Sequence, residues 1–284
     1  MRTYRLKQMA LAMGLFGVIA APLAETDAAS IELGTAKDFA ILGASAVTNT
    51  GPTTLEGNLG VSPNSANDSI TGFFGTTMND GPGEVLPGST IHQNDAVAIQ
   101  AQLDARAAYV EIAAMGYDQD LSGQDLGGMT LTPGVYRFSS SAQLTGDLIL
   151  DGDGPFIFQI GSTLTTAPGA RVMQTPGSIC FCDVFWQVGS SATIDTTTLF
   201  AGTILADQSV SFNDGAMLAG RAIALEAAVT MINNRVNIDT NAFKEQVPSY
   251  VVPSPTAVGS GLLMLGGLLA GRVVILRRRA AETA

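Results

Sequence analysis

The tract 156–238 repeats itself at short intervals, and this constrains the fold more than any other feature of the chain. Phe156-Ile157-Phe158-Gln159-Ile160-Gly161-Ser162 is echoed by Val184-Phe185-Trp186-Gln187-Val188-Gly189-Ser190. Ala201-Gly202-Thr203 returns 18 residues later as Ala219-Gly220-Arg221. Ala192-Thr193-Ile194, Val210-Ser211-Phe212 and Val229-Thr230-Met231 recur at offsets of 18 and 19. A period of about 18–20 residues is short for stacked helical hairpins and suits one coil of a β-solenoid.

The pleat of a strand sets which residues face in. Ile194, Phe212 and Met231 are expected to point inward and stack coil upon coil. Thr193, Ser211 and Thr230 are expected to point outward, with Asp195, Asn213 and Ile232 beside them. Stacked coils lie about 4.8 Å apart and alternate residues on a strand about 6.8 Å apart, so the outward residues form a flat grid. Short strands are also expected at Phe39–Leu42, Gly134–Phe138, Leu148–Leu150 and Phe156–Ile160, between turns rich in Gly, Asn, Asp and Pro. Glycines belong at the corners, where positive φ costs them little.

One segment breaks this pattern. From about Asp95 to Ala114, the residues Ile99, Leu103, Ala107, Val110 and Ala114 recur at helical spacing. They predict one long helix that lays this stripe on the solenoid, capped by Asn94 or Asp95 and ended by Gly116.

Both ends of the chain differ from the body. Arg2, Arg5 and Lys7 precede an apolar run, Met9 to Ala21, and small residues follow. This reads as a secretory signal over residues 1–24, cleaved between about 21 and 30. A second apolar segment, Ala257 to Leu276, is interrupted by charge only at Arg272. At about 1.5 Å per residue it has the length to span a bilayer as a helix. Arg277, Arg278 and Arg279 then hold its end on the cytoplasmic side. Residues 241–256 form a linker between this segment and the body. Residues 25–255 carry seven basic and 24 acidic side chains, a net charge of −17. Such a body is expected to stay monomeric and is no nucleic-acid binder, which needs cations to displace phosphate counterions. A single histidine excludes most catalytic zinc sites.

Several motifs in order carry a family resemblance: Leu59-Gly60-Val61-Ser62-Pro63, Leu131-Thr132-Pro133-Gly134-Val135-Tyr136, Gly161–Gly169, Val184–Thr193 and Phe200–Leu205. Across residues 31–240 the chain resembles the bacterial and fungal ice-binding protein family. The resemblance implies an all-β fold, a right-handed β-solenoid of triangular cross-section with one long α-helix packed alongside. It also implies binding to ice through one flat face, with no cofactor and no metal. The residues expected on that face are Thr163, Thr165, Thr193, Thr196, Thr198, Ser211, Asn213, Thr230 and Asn233. The family's Thr-Ala/Gly-x-Thr/Asn pattern maps onto Thr196–Leu199, Asp214–Met217 and Asn233–Val236. There Asp195, Asp214 and Arg235 are expected to bring charge near the face.

The tail resembles the PEP-CTERM sorting signal, a Pro-Glu-Pro motif followed by an apolar helix and an arginine cluster. Here it reads Pro253-Ser254-Pro255, with Ser254 in place of the usual Glu. That resemblance implies processing by an exosortase-like enzyme at the inner membrane of a Gram-negative bacterium, and display at the cell surface or in the matrix. A structural or adhesive protein of the matrix is the alternative reading of the same features.

The remaining residues point to structure. Asp151-Gly152-Asp153-Gly154 lacks the further ligands of a calcium loop and reads as a tight turn. On an extended segment Cys180 and Cys182 sit too far apart for an unstrained disulfide, and a turn or a redox role stays open. His92 reads as a surface or capping residue, and Trp186 as core. An enzyme on this scaffold, a polysaccharide lyase or hydrolase, needs a carboxylate pair or a calcium–arginine site in a groove; Asp195 with Asp214 is the only near pair, aromatic platforms are few, and no enzyme is expected.

Overall fold

The computed structural model describes residues 31–75, 80–175 and 181–239. The expected signal, linker and tail lie outside them. Among the described residues no helix is long and apolar enough to cross a membrane.

The chain winds as a β-solenoid of parallel strands in two sheets, one of fifteen strands and one of seven. The larger sheet bends round a corner and supplies two faces. Its eight-residue strands Leu199–Ala206 and Met217–Ala224 pass from one face to the other at Gly202 and Gly220, where φ is 104° and 147°. A Cβ on Gly220 would lie 2.0 Å from the carbonyl oxygen of Gly202, so the corner admits no side chain. The seven-stranded sheet is the third face.

The repeats stack in the register that the sequence echoes predict. Phe156–Ile160 pairs residue for residue with Val184–Val188, and Ala192-Thr193-Ile194 with Val210-Ser211-Phe212 and then Val229-Thr230-Met231. Inward residues form continuous columns. Phe158 stacks on Trp186 with ring centroids 3.9 Å apart, flanked by Tyr136 and Phe200. The buried Trp186 indole N–H donates to the Ala201 carbonyl at 2.9 Å. Its large apolar ring is therefore buried without an orphan donor.

The stack does not follow chain order. The first coil pairs with the last: Ile41 with Ala222, Val47 with Val229, and Thr54 with Arg235. Helix α1 (Ala96–Ala114) makes this possible. Its 19 residues rise about 28 Å, and seven strands at about 4.8 Å span about 29 Å. The helix thus carries the chain from one end of the stack to the other. Later coils then build back toward the first.

Asp95 caps the helix, accepting from the backbone N–H of Val97 and Ala98 at 3.0 and 2.9 Å. His92 bonds to this cap at 2.7 Å. The helix face corrects the sequence reading. Ala98, Ala101, Ala105, Ala108 and Ile112 are buried, whereas Ile99, Leu103 and Val110 are 43, 60 and 57% exposed. The sheet beneath presents Phe39, Leu42, Ile157, Phe185, Leu205 and Ile223. Large residues already fill the interface from the sheet side, so the helix approaches with its small side chains. Polar groups fix its edges: Gln102 donates to the Ala224 carbonyl, Arg106 pairs with Glu226, and Thr35 donates its backbone N–H to Asp104. At the far end the Gln159 amide donates to the carbonyls of Ile112 and Met115 at 2.7 and 2.9 Å.

Two further expectations are settled here. Gly152 and Gly154 turn against Pro133, as a tight turn requires. Phe181–Asp183 is bend and turn rather than strand, and Cys182 within it is disulfide-bonded. An extended segment holds alternate residues too far apart for that bond, and a turn removes the restriction.

Candidate functional site

Among the described residues the seven-stranded sheet is bare: the helix lies on another face. Its strands, in spatial order, are Ala142–Leu144, Leu164–Thr166, Ala192–Ile194, Val210–Phe212, Val229–Ile232, Val47–Thr50 and Ile70–Thr71. Their inward residues are apolar except Thr166 and Asn49, which are buried and hydrogen-bonded, and the residue between the inward ones points outward. The paired outward residues form one unbroken column: Gln143, Thr165, Thr193, Ser211, Thr230, Thr48 and Thr71. Five of the seven are threonine, whose stiff branched side chain offers a methyl beside a hydroxyl.

A second column lies two residues earlier, just before six of the seven strands, with Ser141, Thr163, Ser191, Ser209, Ala228 and Ala46. Hydroxyls bridge adjacent coils. Thr163 donates to Ser141 at 2.8 Å, Ser209 to Ser191 at 3.0 Å, and Thr230 to Ser211 at 3.1 Å. These bonds orient the hydroxyls and leave lone pairs free for water. Neither column contains a charge.

Charge begins at the rim, where the chain turns toward the next face. Asn213 donates to Asp195 at 2.8 Å, and Asn233 to Asp214 at 3.1 Å. The Asn213 amide, with the Thr196 backbone N–H, holds the Asp195 carboxyl below its usual range. Both carboxylates are thus engaged by the neighbouring coil, at the edge of the face and outside its two uncharged columns. Arg235 lies on the larger sheet, away from the bare face, paired with Met217 and Thr54.

The sequence-predicted residues divide accordingly. Thr165, Thr193, Ser211 and Thr230 share the central column, and Thr163 the second. Asn213, Thr196 and Asn233 stand at the rim. Thr198 does not belong to the surface. It is fully buried, bonds to Thr166 at 3.1 Å and donates to the Ala167 carbonyl at 3.2 Å. Thr198 lies beyond the strand's end, where period-two alternation gives way to the corner. A second buried polar knot ties the adjacent corners. Asn234 donates to the carbonyls of Asn213 and Ala216, and its own N–H reaches Thr53, which donates to Asn49.

Thr48, Thr50 and Thr71 were not expected. Thr48 and Thr71 complete the column, and Thr50 pairs with Ile232 at its edge. Their strands belong to the first coils, which share too little sequence with the repeats to be aligned with them. The signal was the Val-Thr pair at 47–48, the same as at 229–230.

The chain matches the model of the family described as Ice-binding-like over residues 41–237. An ice-binding protein from Nostoc sp. (strain HG1) is 46% identical over 261 residues, covering 90% of each chain. One from Colwellia sp is 33% identical over 227 residues, covering 76% of this chain and 87% of the relative. The crystal structure of an ice binding protein from an Antarctic biological consortium matches with a TM-score of 0.68 at 43% identity. It covers 76% of this chain and 95% of that one.

Proposed function

The chain belongs to the ice-binding-like family, and from that premise we propose that it adsorbs to ice through the bare seven-stranded face. The observation that carries this is the uncharged grid, mainly of Thr and Ser, on a sheet that no other described element covers. Its spacings of about 4.8 and 6.8 Å are fixed by backbone pairing, so little entropy is lost when surface waters order over it. Methyl groups between the hydroxyls keep part of the surface apolar. Adsorption to a growing crystal forces the front to curve between attached molecules, which slows growth and recrystallisation. The activity is binding, not turnover.

The test is a bulky change in the centre of the grid. Thr193→Tyr is expected to abolish inhibition of ice recrystallisation while leaving the fold intact by circular dichroism. Full activity in that variant overturns the assignment of this face.

The same reading takes the protein outside the cell. Residues 1–24 direct export. The motif Pro253-Ser254-Pro255, the apolar segment 257–276 and Arg277–Arg279 anchor the chain in the inner membrane until an exosortase-like enzyme releases the body as a monomer. Mass spectrometry of the surface fraction is expected to find a mature chain starting between about 21 and 30 and ending near Pro255. A mature chain that retains its arginine cluster overturns the sorting step.

A further inference from the structure

Four coils leave the bare face through the same corner position: Gly169, Thr197, Gly215 and Asn233. All four hold left-handed backbone, with φ of 72°, 55°, 71° and 53°. Glycine adopts this conformation freely, and asparagine tolerates it. Asn233 also uses its side chain, donating to Asp214. Thr197 is different. A β-branched residue at positive φ is a true outlier, held there at a cost in backbone strain. Its backbone N–H donates to the Asp214 carbonyl at 3.0 Å, a bond glycine would make equally well, so no hydrogen bond of the side chain among the described residues repays that cost. Thr197 is exposed, and its hydroxyl has no hydrogen-bond partner among them. Its neighbours in the column are glycines. A Cβ built on Gly169 would lie 3.8 Å from Thr197 Oγ1, and one on Gly215 would lie 3.6 Å from Thr197 Cγ2. The side chain therefore stands alone above a row of bare backbone, at the edge of the hydroxyl grid.

We infer that Thr197 is a ligand-contacting residue: its hydroxyl and methyl extend the ice-binding grid past the rim formed by Asp195 and Asn213. This rests on the ice-binding reading of the bare face. Strain retained at an exposed, unbonded threonine marks a side chain kept for an external contact. It also predicts opposite effects on stability and on binding, which a merely structural residue does not produce.

The experiment compares Thr197→Gly with Thr193→Tyr and the parent in full-length exported protein. Unfolding temperature and the lowest concentration that blocks ice recrystallisation are both measured. Thr197→Gly is expected to unfold a few degrees higher and to need at least a twofold higher concentration to block recrystallisation. Thr197→Val, which keeps the shape and loses the hydroxyl, separates the contribution of the hydroxyl from that of the methyl group. If Thr197→Gly keeps full activity while Thr193→Tyr loses it, this inference is overturned and the bare face stands. If neither variant loses activity, the face itself is wrong. A lower unfolding temperature in Thr197→Gly removes the premise of strain.

Discussion

The bare face and the helix-covered face are cut from the same coils, stacked at the same spacing, and meet opposite fates. Under the helix the outward residues are Phe39, Leu42, Ile157, Phe185, Leu205 and Ile223. On the bare face the same kind of strand presents Thr165, Thr193, Ser211 and Thr230. A row of large apolar side chains leaves too much surface in water and draws a cover. A row of short hydroxyls does not, so it stays open to whatever lies outside. The backbone makes both faces flat, and only the outward residue decides which becomes core and which becomes a binding surface.

The largest break in this comparison comes from emptying the covered face. Ile223→Ala is expected to lower stability by about 2–5 kcal/mol, measured by urea unfolding. Next is the helix side of that interface. Ala105→Leu is expected to cost about 1–3 kcal/mol through overpacking, whereas the exposed Leu103→Gln is expected to change stability by less than about 0.5 kcal/mol. Equal effects at positions 103 and 105 would contradict the observed face of the helix.

A smaller effect follows from the Asp104 contact that clamps the helix to the first residues of the body. Partial burial pushes its carboxyl up, but the Thr35 N–H and the Gln100 amide outweigh this and hold it below its ordinary range. A depressed folded value means the contact contributes fully above the unfolded value of about 3.9 and fades as pH falls through the folded value. Asp104→Asn is therefore expected to cost about 1 kcal/mol at pH 7 and to flatten part of the acid limb of the stability profile. Smallest is the bare face itself. Thr193→Tyr is expected to shift unfolding by no more than about 0.5 kcal/mol. A large loss of stability there would mean that the grid is structural.

How far the sequence revealed these two faces depended on where each kept its period. The repeats at 192–194, 210–212 and 229–231 carried the central column, because alternation within a strand leaves no choice of side. The helix was legible as a helix but not in its orientation. Ile99, Leu103 and Val110 mark an apolar stripe as clearly as the alanines do, and only the bulk of the sheet decides between them. Thr198 was misplaced because the alternation that holds through Ile194 stops at the corner. Thr48 is hidden because its partner Thr230 lies far along the chain, and Thr71 because it joins the column only through Thr48.

The pairing of the first coil with the last bears on how the molecule acquires its shape. Val47 waits for Val229, and Thr54 for Arg235, across most of the body. Closing so long a loop costs entropy before any contact is gained, and chains dominated by such pairings fold slowly. A nascent chain therefore lacks its central seam until the last coil has been synthesised, and any truncation before about residue 237 leaves two open sheet edges in the middle of the stack. Completion of the chain, rather than growth from one end, is the event that commits this solenoid to its native form.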